Sequence, residues 1–427
     1  MIRGLITLLA VVLTSATVAP QAAQAEDLLH GFSQQRLQRI DEQMRQAVDE
    51  GITVGGQGLI ARNGDVIYHQ TWGHADREAK VQTQPDTLYR IYSMTKPITS
   101  VALLMLYEEG HFLLSDPIEK FLPEFANAQV LVEDAEGGES LRPATRPPTV
   151  RDLLRHTAGL SYGVFGNSAV DRLYIDAGLF EKTTLADFSE TLGGLPLLLD
   201  PGTRWHYSLA VDVQGRLIEV LSDKTLGEFF RERIFEPLAM NDTFFYVPEQ
   251  ERPRLAQLYT PRGGSALWSR PWSFGKADVL DVADPELNRL FFEADFVQSG
   301  GAGLVSSADD YLRFGLMLAG EGELEGVRLL APGTVRLLRT DHLGAIDSSG
   351  LRGMDGFGLG VGIVNDPSSK SGELVARGAY GWGGAAGTNF WVDPENNIVG
   401  IYMNQSIPHQ TTLSQRFKVL TYQALME

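Results

Sequence analysis

The chain predicts a mixed α/β (α+β) fold: one antiparallel sheet built from both termini and flanked by helices, with a mostly helical lobe inserted. Three observations carry this. The first third reads as helix, hairpin and helix. The middle alternates helical stretches with Pro- and Gly-rich loops and has few strand patterns. The last quarter is rich in strands and closes on a helix. An α/β lobe of about residues 26–115 and 300–427 and a helical lobe of about 116–299 follow, with a site expected in the cleft between them.

The N-terminus explains itself differently. Met1-Ile2-Arg3 is a basic start, Leu5 to Leu13 an apolar run too short to span a bilayer, and Ala23-Gln24-Ala25 a small-residue cleavage site before Glu26. Residues 1–25 read as a secretory signal. The mature protein is then expected in the periplasm or outside, with no stable membrane insertion after cleavage.

Ser33 is placed to cap a helix whose apolar stripe is Leu37, Ile40, Met44, Ala47 and Val48, ending at Gly51. Asn63-Gly64 between Gly58–Ala61 and Val66–Tyr68 is the strongest short-range hairpin signal. From Tyr92 to Gly110 the chain is apolar on nearly every face, with Pro97 in the first turn and Gly110 as stop, so this helix is buried on all sides. Further helices are expected from Thr149, over Leu209–Leu221, over Leu226–Phe235 and over Ala308–Leu318. The acidic stretch Glu133–Glu139 reads as an exposed loop. Phe390–Val392 and Ile398–Tyr402 flank Asp393-Pro394-Glu395-Asn396-Asn397 as a second hairpin, and Leu413, Phe417, Leu420 and Ala424 mark the last helix.

Composition narrows the function. With 43% hydrophobic and 21% charged residues the chain is globular, and a net charge of −18 argues against nucleic acid or an anionic membrane as partner. There is no cysteine, hence no disulfide and no thiol nucleophile. The eight histidines show no metal-ligand spacing, so neither a metal nor another cofactor is expected.

The chemistry concentrates at the start of the buried helix. Ser93 and Lys96 are three residues apart and share one face, an amine beside a hydroxyl at the positive end of the helix dipole. A second Ser-x-x-Lys, Ser273-Phe274-Gly275-Lys276, has no helix after it to hold the pair together. Gly159-Leu160-Ser161-Tyr162-Gly163 matches the nucleophile elbow, which requires a strand leading in and a helix leading out. Here the lead-in is helical and the lead-out a loop, and nothing selects an acid or a histidine (His342, His409) to complete a triad. His156 and His206 read as structural, and Gly300–Gly303 as a turn or a cleft wall.

Four segments together carry a resemblance. Ser93-Met94-Thr95-Lys96, Asp152–Leu160 (Asp-Leu-Leu-Arg-His-Thr-Ala-Gly-Leu), Trp205-His206-Tyr207-Ser208 and Gly381–Gly387 (Gly-Trp-Gly-Gly-Ala-Ala-Gly) resemble the serine β-lactamase and penicillin-binding superfamily. Within it, the likeness is greatest to the class C β-lactamase-like group that includes family VIII carboxylesterases. The resemblance implies that Ser93 takes the acyl group, that Lys96 and Tyr207 shuttle its proton, and that the backbone N–H groups of Ser93 and Ala385 form the oxyanion hole. Trp382, Gly383 and Gly384 fall where β-lactamases have Lys-Thr-Gly, and the glycines allow substrate close to the backbone.

Two departures matter. The missing lysine removes the cation that grips a β-lactam carboxylate, and Tyr207-Ser208-Leu209 lacks the asparagine that binds an acylamide. The resemblance therefore implies a small-molecule ester with a neutral, fairly small acyl group. A β-lactamase, a D-amino-acid peptidase, an acyltransferase and a cell-wall-fragment sensor are the alternatives.

Overall fold

The computed structural model describes residues 27–133, 136–351, 353–368 and 374–427; the expected signal, residues 1–25, lies outside them. An eight-stranded antiparallel sheet takes strands from both ends of the chain. The N-terminal part supplies β1 (Gly55–Arg62), β2 (Asp65–Asp76) and β3 (Val81–Gln82). The C-terminal part supplies β4 (Gly356–Phe357), β5 (Gly362–Ile363), β6 (Tyr380–Gly383), β7 (Asn389–Asp393) and β8 (Ile398–Met403). The spatial order is β4-β5-β6-β7-β8-β1-β2-β3, so β8 against β1 joins the two contributions. Arg62 pairs with Asp65 across a two-residue turn in which Asn63 and Gly64 both take positive φ, as an Asn-Gly hairpin requires.

Alternation along the strands assigns the two faces. Ile60, Trp391, Ile398 and Tyr402 bury against α1 (Gln34–Asp49) and the C-terminal helix α6 (Leu413–Tyr422). Leu59, Ala61, Phe390, Val392, Val399 and Ile401 face the other way, into the main core with α2 (Thr95–Glu108) and α5 (Ala308–Ala319). Every residue of α2 from Thr95 to Leu106 is buried. Its entry is tighter than an α-helix. Tyr92–Met94 form a 3-10 turn, and Tyr92 holds φ of +43°, a costly conformation for a bulky side chain directly before Ser93. Ser33 caps α1, and Gly110 leaves α2 at φ +82°.

Between the sheet segments lie α3 (Val150–Leu154), α4 (Ala210–Ser222) and several shorter helices. The stretch is less purely helical than its composition suggests. Gln129–Glu133 pairs with Glu139–Pro143, and Tyr259–Arg262 with Lys276–Val282, as two local hairpins outside the main sheet. The ends of the acidic stretch read as a loop, Glu133 and Glu139, are thus paired strand residues. Half-exposed hairpins of this kind need no long apolar run, which is why their pattern is faint. The helix expected over Leu226–Phe235 ends at Phe230, and Arg231–Phe235 continues as a π-turn.

Asp152 braces the segment that follows α3. Its carboxylate, fully shielded from solvent, completes the Thr149 capping box and accepts hydrogen bonds from Arg146 (2.6 Å), Arg155 (3.0 Å) and the Thr157 hydroxyl (2.8 Å). Burial alone would raise this carboxyl, but the hydrogen bonds from Arg146, Thr149 and Thr157 outweigh it and hold it at about 2. An aspartate held below its unfolded value of about 3.9 stabilises the fold above that pH, and the contribution is lost as pH falls towards 2. Asp152→Asn is expected to lower the unfolding free energy by roughly 3 kcal/mol in urea titrations at pH 7. The gap to wild type should close between about pH 4 and pH 2.

Candidate active site

Three chain segments meet at the mouth of α2. The Tyr207 hydroxyl donates to Ser93 Oγ at 2.7 Å, and Lys96 Nζ lies 3.3 Å from the same oxygen. The side chains expected to act together are therefore in mutual contact. Lys96 is almost wholly buried, and its ammonium is satisfied from several sides. It donates to the Gly301 carbonyl at 2.6 Å, reaches the Tyr162 hydroxyl at 3.5 Å, and sits over the Tyr207 and Tyr162 rings at 4.7 and 5.1 Å. The run Gly300–Gly303 is the floor beneath the amine.

Behind that floor is an acid that the motifs do not reveal. Asp212, in the first turn of α4, accepts from the Ser299 hydroxyl (2.5 Å) and the Gly301 N–H (3.1 Å). The Gly301 residue thus links the carboxylate to Lys96, N–H on one side and C=O on the other. Burial pushes the Asp212 carboxyl up, opposed by the Lys96 charge and these hydrogen bonds. A Cβ at Gly301 would meet Asp212 Oδ2 at 2.7 Å, so this approach requires glycine. Tyr162 is the second residue missed. Its ring stacks on Tyr207 (centroids 5.3 Å apart), and burial, with Tyr207 and Asp212 adding, raises its phenol well above the usual range, so it stays neutral. Its one sequence signal was its place inside the misleading Gly-x-Ser-x-Gly match.

His156 is buried and holds the Tyr207 segment. With φ of +54°, its carbonyl accepts from the His206 N–H (2.9 Å) and its Nδ1 from the Ser208 N–H (3.3 Å), while its ring packs against Tyr207 at 5.0 Å. Burial, then Lys96 and His206, hold this imidazole well below its ordinary value, so it is neutral.

Ser93 and Tyr207 open into a cavity of about 390 Å³ whose lining includes Trp382, Gly383, Gly384 and Ala385. The Ala385 carbonyl is taken by the His409 N–H at 3.0 Å, while its own N–H meets no backbone acceptor among the described residues. Phe165, Trp272, Phe274 and Met354 make the neighbouring wall apolar, and the Trp382 ring lies 5.7 Å from that of Tyr207. Ser161 stands apart. It is buried, donates to Asp171 and lies 3.4 Å from His206 Nε2, but it does not line the cavity. The chain enters it without a strand, and Ser273 sits in a short β-bridge with Ser265, with no helix after it.

Fold and site together define a serine hydrolase. The Beta-lactamase family model matches residues 40–419, and the chain belongs to that family. Esterase EstB of Burkholderia gladioli is 33% identical over 371 residues, covering 83% of this chain and 86% of its own. Lovastatin esterase of Penicillium rubens is 29% identical, covering 86% and 92%. The solved structure of EstCE1, a hydrolase with promiscuous acyltransferase activity, superposes with a TM-score of 0.73 at 28% identity, covering 91% of this chain and 99% of that one.

Ser161→Ala is expected to keep ester turnover near wild type, measured on soluble protein with p-nitrophenyl butyrate. Tyr162→Phe removes only the long contact to Lys96 and should lower kcat/KM by about two- to tenfold.

Proposed function

We propose that this protein is an exported carboxylesterase acting on short-chain or aryl esters through an acyl-serine at Ser93. The observation that carries the reading is the contact of the Ser93 hydroxyl with Tyr207 at 2.7 Å and Lys96 at 3.3 Å, facing an aromatic cavity. Ser93 Oγ attacks the ester carbonyl as its proton passes into the Tyr207–Lys96 pair. The carbonyl oxygen becomes an oxyanion received by the backbone N–H groups of Ser93 and Ala385. Collapse breaks the bond to the alcohol, which leaves with the proton held by the pair. Water then attacks the acyl-serine by the same route in reverse. The esterase names among the relatives support the reaction class, and the apolar Trp382 wall supports neutral esters over β-lactam carboxylates. Export rests on residues 1–25.

Ser93→Ala should abolish turnover, and Tyr207→Phe and Lys96→Ala should each lower kcat by about 10²–10⁴-fold. Wild type should turn over p-nitrophenyl acetate and butyrate faster than the octanoate, and faster than nitrocefin or a D-alanyl amide. A burst without turnover would favour a sensor instead, nitrocefin preferred over esters a β-lactamase.

A further inference from the structure

Two voids lie on opposite sides of one aromatic partition. The first is the cavity at Ser93, whose wall includes Phe165, Tyr207 and Trp272. The second is a slot of about 70 Å³ whose apolar lining includes Phe180, Trp268, Leu287 and Leu290, with the exposed Glu181 and Glu286 beside it. Trp272 belongs to the cavity and Trp268 to the slot, and their rings touch with centroids 5.2 Å apart. Tyr162 closes the layer between them. Its ring meets Phe165 (4.7 Å) and Tyr207 (5.3 Å) on the cavity side, and Trp268 (6.1 Å) and Phe180 (6.4 Å) on the slot side.

Both tryptophans ride on the loop that joins Tyr259–Arg262 to Lys276–Val282. That loop is pinned at two points. Ser265 and Ser273 exchange backbone hydrogen bonds at 2.9 Å, and the Trp272 N–H donates to the Val164 carbonyl at 2.9 Å. The second bond holds Trp272 edge-on against Phe165, centroids 4.9 Å apart, while Trp268 stacks on Phe180 at 4.3 Å. Burying one methylene strengthens binding by about fourfold. An ester arm lying along the wall gains that factor for each methylene until it meets Trp272. Methylenes beyond that point turn towards the mouth, where Phe165 and Phe274 are themselves largely open to water.

We propose that Trp268 and Trp272 are the specificity-determining pair for chain length: they end the apolar subsite at Ser93 and separate it from the slot behind. This rests on the esterase reading and deepens it by naming the residues that keep the substrate short.

The test measures kcat/KM in wild type, Trp268→Ala, Trp272→Ala and the double variant. Two series are compared: p-nitrophenyl octanoate against butyrate for the acyl arm, and octyl against butyl acetate for the alcohol arm. Ratios within one preparation are independent of the fraction folded. Wild type should show no gain from the longer chain in either series. In the double variant one long-to-short ratio should rise by about tenfold or more, and the series that moves identifies the arm. Adding Ile175→Phe, which narrows the slot from its far side, should bring that ratio back down. Where the double variant has no turnover, the two single variants decide, with a rise of about threefold expected in at least one. A wild type that already favours octanoate or octyl acetate, ratios unmoved by the substitutions, or a gain that survives Ile175→Phe would each overturn the partition while leaving the esterase reading intact. Absence of wild-type turnover on every ester would overturn the esterase reading and the partition with it.

Discussion

The burial of one ammonium organises this structure. Lys96 is almost wholly shielded from water inside a helix that has no solvent face, a costly place for a charge unless donors and rings are matched to partners. The partners come from distant parts of the chain: Ser93 one turn back, Tyr162 and Tyr207 from the middle, and the Gly301 carbonyl where the chain returns towards the sheet. Asp212 holds Gly301 by its N–H and places a compensating acid close behind. The close approach of backbone at Gly300 and Gly301, where a Cβ would meet Val211 O at 2.8 Å or Asp212 Oδ2 at 2.7 Å, is the steric condition for all of it. The amine is held between the Ser93 hydroxyl and the Tyr207 ring by its shorter bond to the Gly301 carbonyl.

Around that centre the support is arranged in tiers. Asp152 ties α3 to the turn that follows, and the turn carries His156, which grips the residues on either side of Tyr207 through its carbonyl and its ring nitrogen. The left-handed backbone at Tyr92 and His156, both uncommon for such side chains, marks the two points where the chain is bent to deliver Ser93 and Tyr207. Strain is kept at these positions by buried packing on all sides, since Tyr92, Trp205 and His156 are each nearly inaccessible.

Features set by local periodicity were legible in the sequence. The buried helix, the Asn63-Gly64 turn, the Ser33 cap and the hairpin at Asp393–Asn397 each follow from a pattern a few residues long. Ser93 and Lys96 were legible for the same reason, because helix geometry brings residues three apart onto one face. Tyr207 needed the resemblance, since no spacing links it to Ser93. Tyr162 and Asp212 were not legible at all. Their roles depend on tertiary proximity to Lys96, and Tyr162 was hidden inside a motif whose serine turns out to bond to Asp171. The small hairpins of the middle segment were missed because a half-exposed two-stranded ribbon has no continuous apolar face to announce it.

The tryptophan at position 382 has a consequence beyond the shape of the pocket. Strand parity places it on the face shared with Phe390, and its ring lies 5.7 Å from that of Tyr207. A lysine there would bring a second ammonium towards the phenol and favour its phenolate. With tryptophan in its place, Lys96 is the one cation seated over the Tyr207 ring among the described residues. The phenol hydroxyl bonds to Ser93 Oγ, and the amine touches both that oxygen and the phenol ring. The apolar wall beside Ser93 and the lack of a second ammonium at this position are two results of the same residue.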